Sequence, residues 1–217
     1  MAIQLGAEPE NDFTTPLGLL SDCHRRIEKF LSQLIGLVSE AQTTVNEPVR
    51  QKAERDAGLT AGQKSTLEVA LRYFREAAPR HTQDEEESLF PRMRACSDEA
   101  APIALASLNA LEADHDQAEA AHAEVEALGQ NWLSNGHLSA RDLDRLGAIL
   151  RDLRSLYQRH ILVEDTQIFP LAERVLDADA IRAIGEEMAL RRGIDLSKIA
   201  DLNLYHPGRR PLQMKTK

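Results

Sequence analysis

Four stretches of this chain place apolar residues three and four positions apart, and every one of them carries a histidine inside the apolar seam. The first seam reads Leu17, Leu20, His24, Ile27, Leu31, Leu34, Val38; the second reads Leu67, Leu71, Phe74, Ala78, His81, Glu85 and then Ser88 or Leu89. The third passes through Leu105, Leu108, Leu111 or Glu112, His115, Glu119, His122 and Val125. The fourth passes through Leu143, Leu146, Leu150, Leu153, Tyr157, His160, Glu164, Ile168, Leu171 and Val175. Such spacing turns one face of a helix inward, and no alternating strand pattern is sustained anywhere. The fold class is therefore all-α, an up-down-up-down antiparallel four-helix bundle with an extra short C-terminal helix and tail.

Local signals bound the helices. Thr15-Pro16 suits a cap followed by a first helical position, so the first helix opens there. Ser65 with Glu68 three residues later forms a capping-box pattern and predicts the start of the second helix. Pro79 falls inside that helix and bends it beside His81, and Pro91 ends or kinks it again. The third helix follows Ser97 and runs to about Trp132; "SNGH" reads as a turn. Ser139 with Asp142 opens the fourth. A polar connection over 41–63 is long for a bundle loop, and "EPVRQKAERDAG" within it could form a short helix closed by Gly58. Residues 1–177 thus form the bundle, and 178–217 a short helix, about Ala180 to Arg191, with an irregular tail.

The charge balance narrows the partners. Lys+Arg 26 against Asp+Glu 35 gives a net charge of -9, which opposes nucleic acid as the default partner. The two cysteines, Cys23 and Cys96, form no C-x-x-C, as expected of a reduced cytoplasmic chain. No apolar run reaches the length of a membrane span, and the N-terminus lacks a basic start followed by an apolar block.

The chemistry is written twice. "HTQDEEESLFP" begins at His81 and "HILVEDTQIFP" at His160, and both read H-x-x-x-E-x-x-x-[LI]-F-P. Residues four apart share a helix face, so each copy aims an imidazole and a carboxylate together into the core. Bare buried carboxylates cost several kcal/mol, as an order of magnitude; a multivalent cation bonded to them removes that cost. A mixed His/Glu set without thiolate favours iron or manganese over a structural zinc site. Carboxylates also bridge. The resulting assignment has His24 and His81 on one ion, His115 and His160 on a second, Glu85 and Glu164 bridging, and Glu119 as a further ligand of the second ion. Open positions remain for water or a small molecule. Glu112 and His122 compete with Glu119 for the helix-three role, and Tyr157, one turn before His160, could donate a hydrogen bond into the site or simply pack in the core. The acidic run Asp84 to Glu87 reads as a solvated face in which only Glu85 has the register for a role.

In order, His24, the His81/Glu85 pair, His115 and the His160/Glu164 pair resemble the motifs of the hemerythrin-like, HHE cation-binding family, as do the "LFP" and "IFP" tails. The resemblance covers about residues 15 to 175. It implies a non-haem di-iron centre, two Fe ions bridged by carboxylates and an oxo or hydroxo group, with Mn or Zn as substitutes and a diatomic such as O2 or NO as ligand. Where the family's oxygen carriers have a fifth histidine, this chain has Glu119, and where their last carboxylate falls five residues after the fourth-helix histidine, Asp165 stands one place beyond Glu164. Added negative charge at Glu119 favours the ferric state over reversible oxygen binding. The implied function is di-iron binding of a diatomic, or iron and redox sensing or storage. The alternative is a di-iron oxidoreductase acting on peroxide, oxygen or nitric oxide. The sequence names no protein partner.

Overall fold

A computed structural model describes residues 11–46, 58–96 and 101–196. They form an all-α helical bundle with no strand among the described residues. Helix α1 spans Pro16–Asn46, α2 Ala61–Glu76, α3 Ala78–Gln83 and α4 Phe90–Arg94; α5 spans Ala101–Asn135, α6 Ala140–Val163, α7 Phe169–Val175 and α8 Ala178–Arg191. Two π-helical turns, Asp84–Leu89 and Glu164–Ile168, join α3 to α4 and α6 to α7. Helix α1 packs on α2 and α6, and α5 packs on the same two, which closes a ring of four long helices. Helix α8 lies across the first π turn and α1.

Several expected boundaries hold and others move. Helix α1 opens at Pro16, with the Thr15 carbonyl accepting from Leu19 N–H at 3.0 Å. It runs to Asn46, through the first part of the polar connection; the short helix expected in that connection lies mostly outside the described residues. Helix α2 starts earlier than Ser65. Thr60 is its cap, accepting from Gln63 N–H at 3.2 Å while the Gln63 side chain accepts from Thr60 N–H at 2.9 Å. A second tether explains the shift: Leu59 N–H donates to the Gly136 carbonyl at 3.0 Å. Gly58 and Gly136 both adopt positive φ, 64° and 75°, and their backbones touch, so the turn before α2 is fixed against the turn after α5. Ser139 caps α6, as its sequence signal requires, accepting from Asp142 N–H at 3.1 Å. Asp177 caps α8, which begins at Ala178 rather than Ala180.

The π turns follow from the repeated tails. Phe90 N–H donates to the Glu85 carbonyl and Phe169 N–H to the Glu164 carbonyl, five residues back. The next residue in each case is proline, Pro91 or Pro170. Proline offers no N–H with which to pull the backbone back to the four-residue ladder, and one inserted residue is accommodated as a wide turn. The buried stripe of the fourth seam accordingly steps from Ile168 to Phe169 and Ala172, leaving the expected Leu171 only partly buried.

Apolar packing falls into two clusters. One contains Ile27, Phe30, Leu67, Leu71, Phe74, Ala118, Val125, Leu150 and Leu153. The other contains Leu17, Leu20, Leu89, Phe90, Leu108, Leu111, Ile168, Phe169, Ile184 and Met188. Along α1, His24 falls between Leu20 of the second cluster and Ile27 of the first; along α5, His115 falls between Leu111 and Ala118. A polar layer therefore cuts the core in two at the level of the π turns. Gly185 lets α8 close onto the segment before α1, since a Cβ there would collide with the Phe13 carbonyl.

Candidate metal centre

Among the described residues, eight polar or charged ones are buried: His24, His81, Asp84, Glu85, Ser88, His115, His160 and Glu164. Six of them are the expected ligands. They form two groups, His24–His81–Glu85–Glu164 and Glu85–His115–His160–Glu164, each with ligand atoms within 4.8 Å of one another. The two carboxylates belong to both groups, as bridging requires. Glu85 Oε1 lies 3.7 Å from His24 Nε2 and 3.3 Å from His81 Nε2, while its Oε2 lies 3.3 Å from His115 Nε2. Glu164 Oε2 lies 3.1 Å from His24 Nε2 and 3.0 Å from His160 Nε2. Within the second group, His115 Nε2 and His160 Nε2 are 3.2 Å apart.

All four carboxylate oxygens of Glu85 and Glu164 are buried without a hydrogen-bond partner, as is His24 Nε2. Buried polar atoms are rarely left so. The imidazoles supply the electrostatic counterweight. Burial opposes charge on His24, yet Asp165, Glu164 and Glu85 hold its pKa well above the usual histidine range. His115, despite burial, is raised to about 9 by Glu85 and Glu86. His81 is pushed down to about 4 by burial, with Glu85 opposing. Burial raises both glutamates, but His81 and His115 hold Glu85 well below the carboxylate range, and His160 and His24 lower Glu164 against the added repulsion of Glu85. Protons on the imidazole nitrogens and a cation therefore compete for the same site.

The residues following the two shared glutamates have matching tasks. Glu86 Oε1 lies 2.8 Å from His115 Nδ1, and Asp165 Oδ1 lies 2.9 Å from His24 Nδ1. The phenylalanines of the two tails also match: Phe90 stacks on His115 at 6.4 Å between centroids, and Phe169 on His24 at 5.4 Å. Each motif copy thus supplies its own imidazole and carboxylate, and then an acid and a ring that orient the histidine of another helix. Ser21 Oγ and Arg25 hold Asp165 in turn, at 3.0 and 2.6 Å. The sequence held this signal, since both copies place an acidic residue directly after the glutamate; within a longer acidic run it reads as solvated charge.

Two expectations are corrected. Glu119 is exposed and belongs to neither group. Helix α5 stays regularly α-helical, and its inward face passes through His115, Ala118, His122 and Val125, leaving Glu119 at the solvent edge. The Asp84–Glu87 run is not one solvated face. Asp84 is fully buried and paired with Arg191 and Arg192 of α8, at 2.9 and 2.6 Å. The π turn carries Asp84 to one side and Glu85 to the other. Of the remaining candidates, Glu112 pairs with Arg94 at 2.7 Å. His122 Nε2 lies 3.0 Å from the Tyr157 hydroxyl, stacked on Phe74, and joins neither group. Cys23 is buried beside His24 in sequence and joins neither group.

The donor set fits a pair of multivalent cations: two carboxylates shared, imidazoles on both sides, no thiolate. Comparison with known proteins agrees. Residues 15–172 match the model of the hemerythrin HHE cation binding domain. An uncharacterized protein of Haemophilus influenzae is 27% identical over 179 residues, covering 82% of this chain and 91% of that protein. With its motif residues gathered in the core and most of its length matched, the chain belongs to the hemerythrin HHE cation-binding domain family.

Proposed function

We propose that the protein is a non-haem di-iron protein that binds a small diatomic, O2 or NO. The observation that carries this is the sharing of Glu85 and Glu164, whose buried oxygens have no hydrogen-bond partner, by two histidine-containing groups. In this reading His24 and His81 hold one ion, His115 and His160 the other, and the glutamates span both. Glu119 has no part. The ring of contacts among the four long helices and the tight turn at Gly136 support an up-down-up-down course, which brings a histidine from each to one level.

The chain's own residues orient and shield. Glu86 and Asp165 accept from the Nδ1–H of His115 and His24, so each Nε2 lone pair points inward. Phe90 and Phe169 cover those two rings, and the apolar clusters on either side keep water from the layer. Bound iron supplies one-electron chemistry and open coordination positions. The mixed acidic surroundings favour its higher charge state.

Anaerobic loading with ferrous iron followed by elemental analysis tests the reading. Two irons per chain are expected, with an optical change on adding O2 or NO. Zinc at one ion per chain in place of iron contradicts the di-iron assignment. Two irons with a spectrum indifferent to both gases contradicts the diatomic ligand and leaves the ion pair.

A further inference from the structure

A cavity of about 300 Å³ opens where the residues before α1, the first turns of α1, the α2–α3 junction and the C-terminal end of α8 meet. Its apolar wall is Phe13, Leu19 and Tyr73, and three guanidinium groups line it, Arg26, Arg80 and Arg192. That is a concentration of positive charge on a chain whose net charge is -9.

Arg192 is committed. It meets the buried Asp84 carboxylate at 2.6 and 3.2 Å and donates to the Met188 carbonyl at 2.7 Å. Half-buried Arg26 and exposed Arg80 are different: neither has an ion-pair partner among the described residues. The one carboxylate in the lining is Asp12. Its Oδ1 is occupied by the Thr14 N–H and hydroxyl at 2.8 and 2.6 Å, and it forms no ion pair with either arginine. The Cys23 thiol in the same wall is pushed up by burial, while Arg26 and Arg192 pull it the other way. Two like charges facing one partly enclosed space repel, and an anion between them relieves that.

We propose that this cavity binds a small organic carboxylate, its anionic group held by Arg26 and Arg80 and its apolar body against Phe13, Leu19 and Tyr73. The planar guanidinium fork matches a carboxylate. An inorganic oxyanion suits the site less, because the oxygens facing the apolar wall would lose water without gaining a donor. The cavity volume lies at the lower end of small-molecule sites, roughly 300–1,000 Å³. The inference rests on cavity shape and charge and is independent of the metal assignment.

Isothermal titration of the purified full chain with benzoate, and then with inorganic phosphate at matched ionic strength, tests it. Saturable binding of one benzoate per chain is expected, weakened about tenfold or more by Arg26→Gln or Arg80→Gln. Phosphate should bind more weakly. Neither arginine carries an ion pair within the described fold, so both variants should keep the wild-type circular dichroism. Arg75→Gln, which removes the arginine that pairs with Glu126 at 2.7 Å outside the cavity, should bind as wild type. Absence of saturable benzoate binding at millimolar concentration overturns the proposal, as do variants that bind like wild type. Phosphate binding as tightly as benzoate overturns the assignment of an apolar body.

Discussion

At His24 and His115 the ring nitrogen facing away from the carboxylate pair is held by an acid, Asp165 or Glu86. Such partners fix the tautomer and ring angle, and their loss costs about 10–100-fold in metal affinity in comparable sites. Asp165→Asn and Glu86→Gln should each weaken iron binding by about that factor, measured by competition against a chelator, with helical content unchanged. Glu119→Gln, by contrast, should leave iron content and affinity as they were, because Glu119 faces solvent; a loss of one iron per chain would return it to the ligand set. These two outcomes mirror what was readable in the sequence. Histidine and glutamate four apart on an apolar seam is a strong signal, since a seam position has no solvent to satisfy it. An acid next to a ligand is a weak one, because surface charge runs look the same. Only its recurrence in both copies, Glu86 and Asp165, separates it from Glu87 and Asp116.

Between residue and bundle, the π turns decide what the acidic run does. The wide turn buries Asp84, Glu85, Ser88 and Leu89 together. Asp84 is then a buried carboxylate that α8 must answer, with Arg191 and Arg192 on it and Arg191 also donating to Ser88 Oγ at 2.6 Å. Burial still raises the Asp84 carboxyl overall, against the pull of Arg192 and Arg191. Asp84→Ala should lower stability by about 2 kcal/mol in urea denaturation. That is less than the ~3–5 kcal/mol of a fully buried pair, since both arginines keep partial contact with water. The same variant should reduce iron affinity, because Asp84 adjoins Glu85 in the turn. Stability and iron affinity both unchanged would show that α8 does not support the turn. The proline after each phenylalanine was legible as a break. That the break would take the form of an inserted residue, centred on the glutamate, was not, because proline alone does not choose between a kink and a wide turn.

For the whole molecule, the arrangement is two apolar clusters separated by a layer of imidazoles and carboxylates. The all-α class and the seams of the four long helices were legible because three-and-four spacing leaves few alternatives. The start of α2 was not, since the tether of Leu59 to Gly136 lies far apart in the chain. One titrating group outside the layer tests the core directly. His122 is pushed down to about 4 by burial, below the unfolded value near 6.5. The unfolded chain therefore takes up this proton before the native one does, and stability falls as pH drops from about 6.5 towards 4. Between pH 7 and pH 5 the loss from this group should be about 2 kcal/mol. It should be read from urea curves of the ion-free protein and should be largely absent in His122→Phe, compared as a slope against pH so that the lost Tyr157 contact cancels. A wild-type slope in the variant would place the titration elsewhere. Central to the account, however, is that Glu85 and Glu164 join two ions in this layer. Anomalous diffraction at the iron absorption edge, from crystals of iron-loaded protein, measures that most directly. Two peaks are predicted, one beside His24 and His81 and one beside His115 and His160, with both carboxylates spanning them; a single peak, or peaks away from these six side chains, would contradict it.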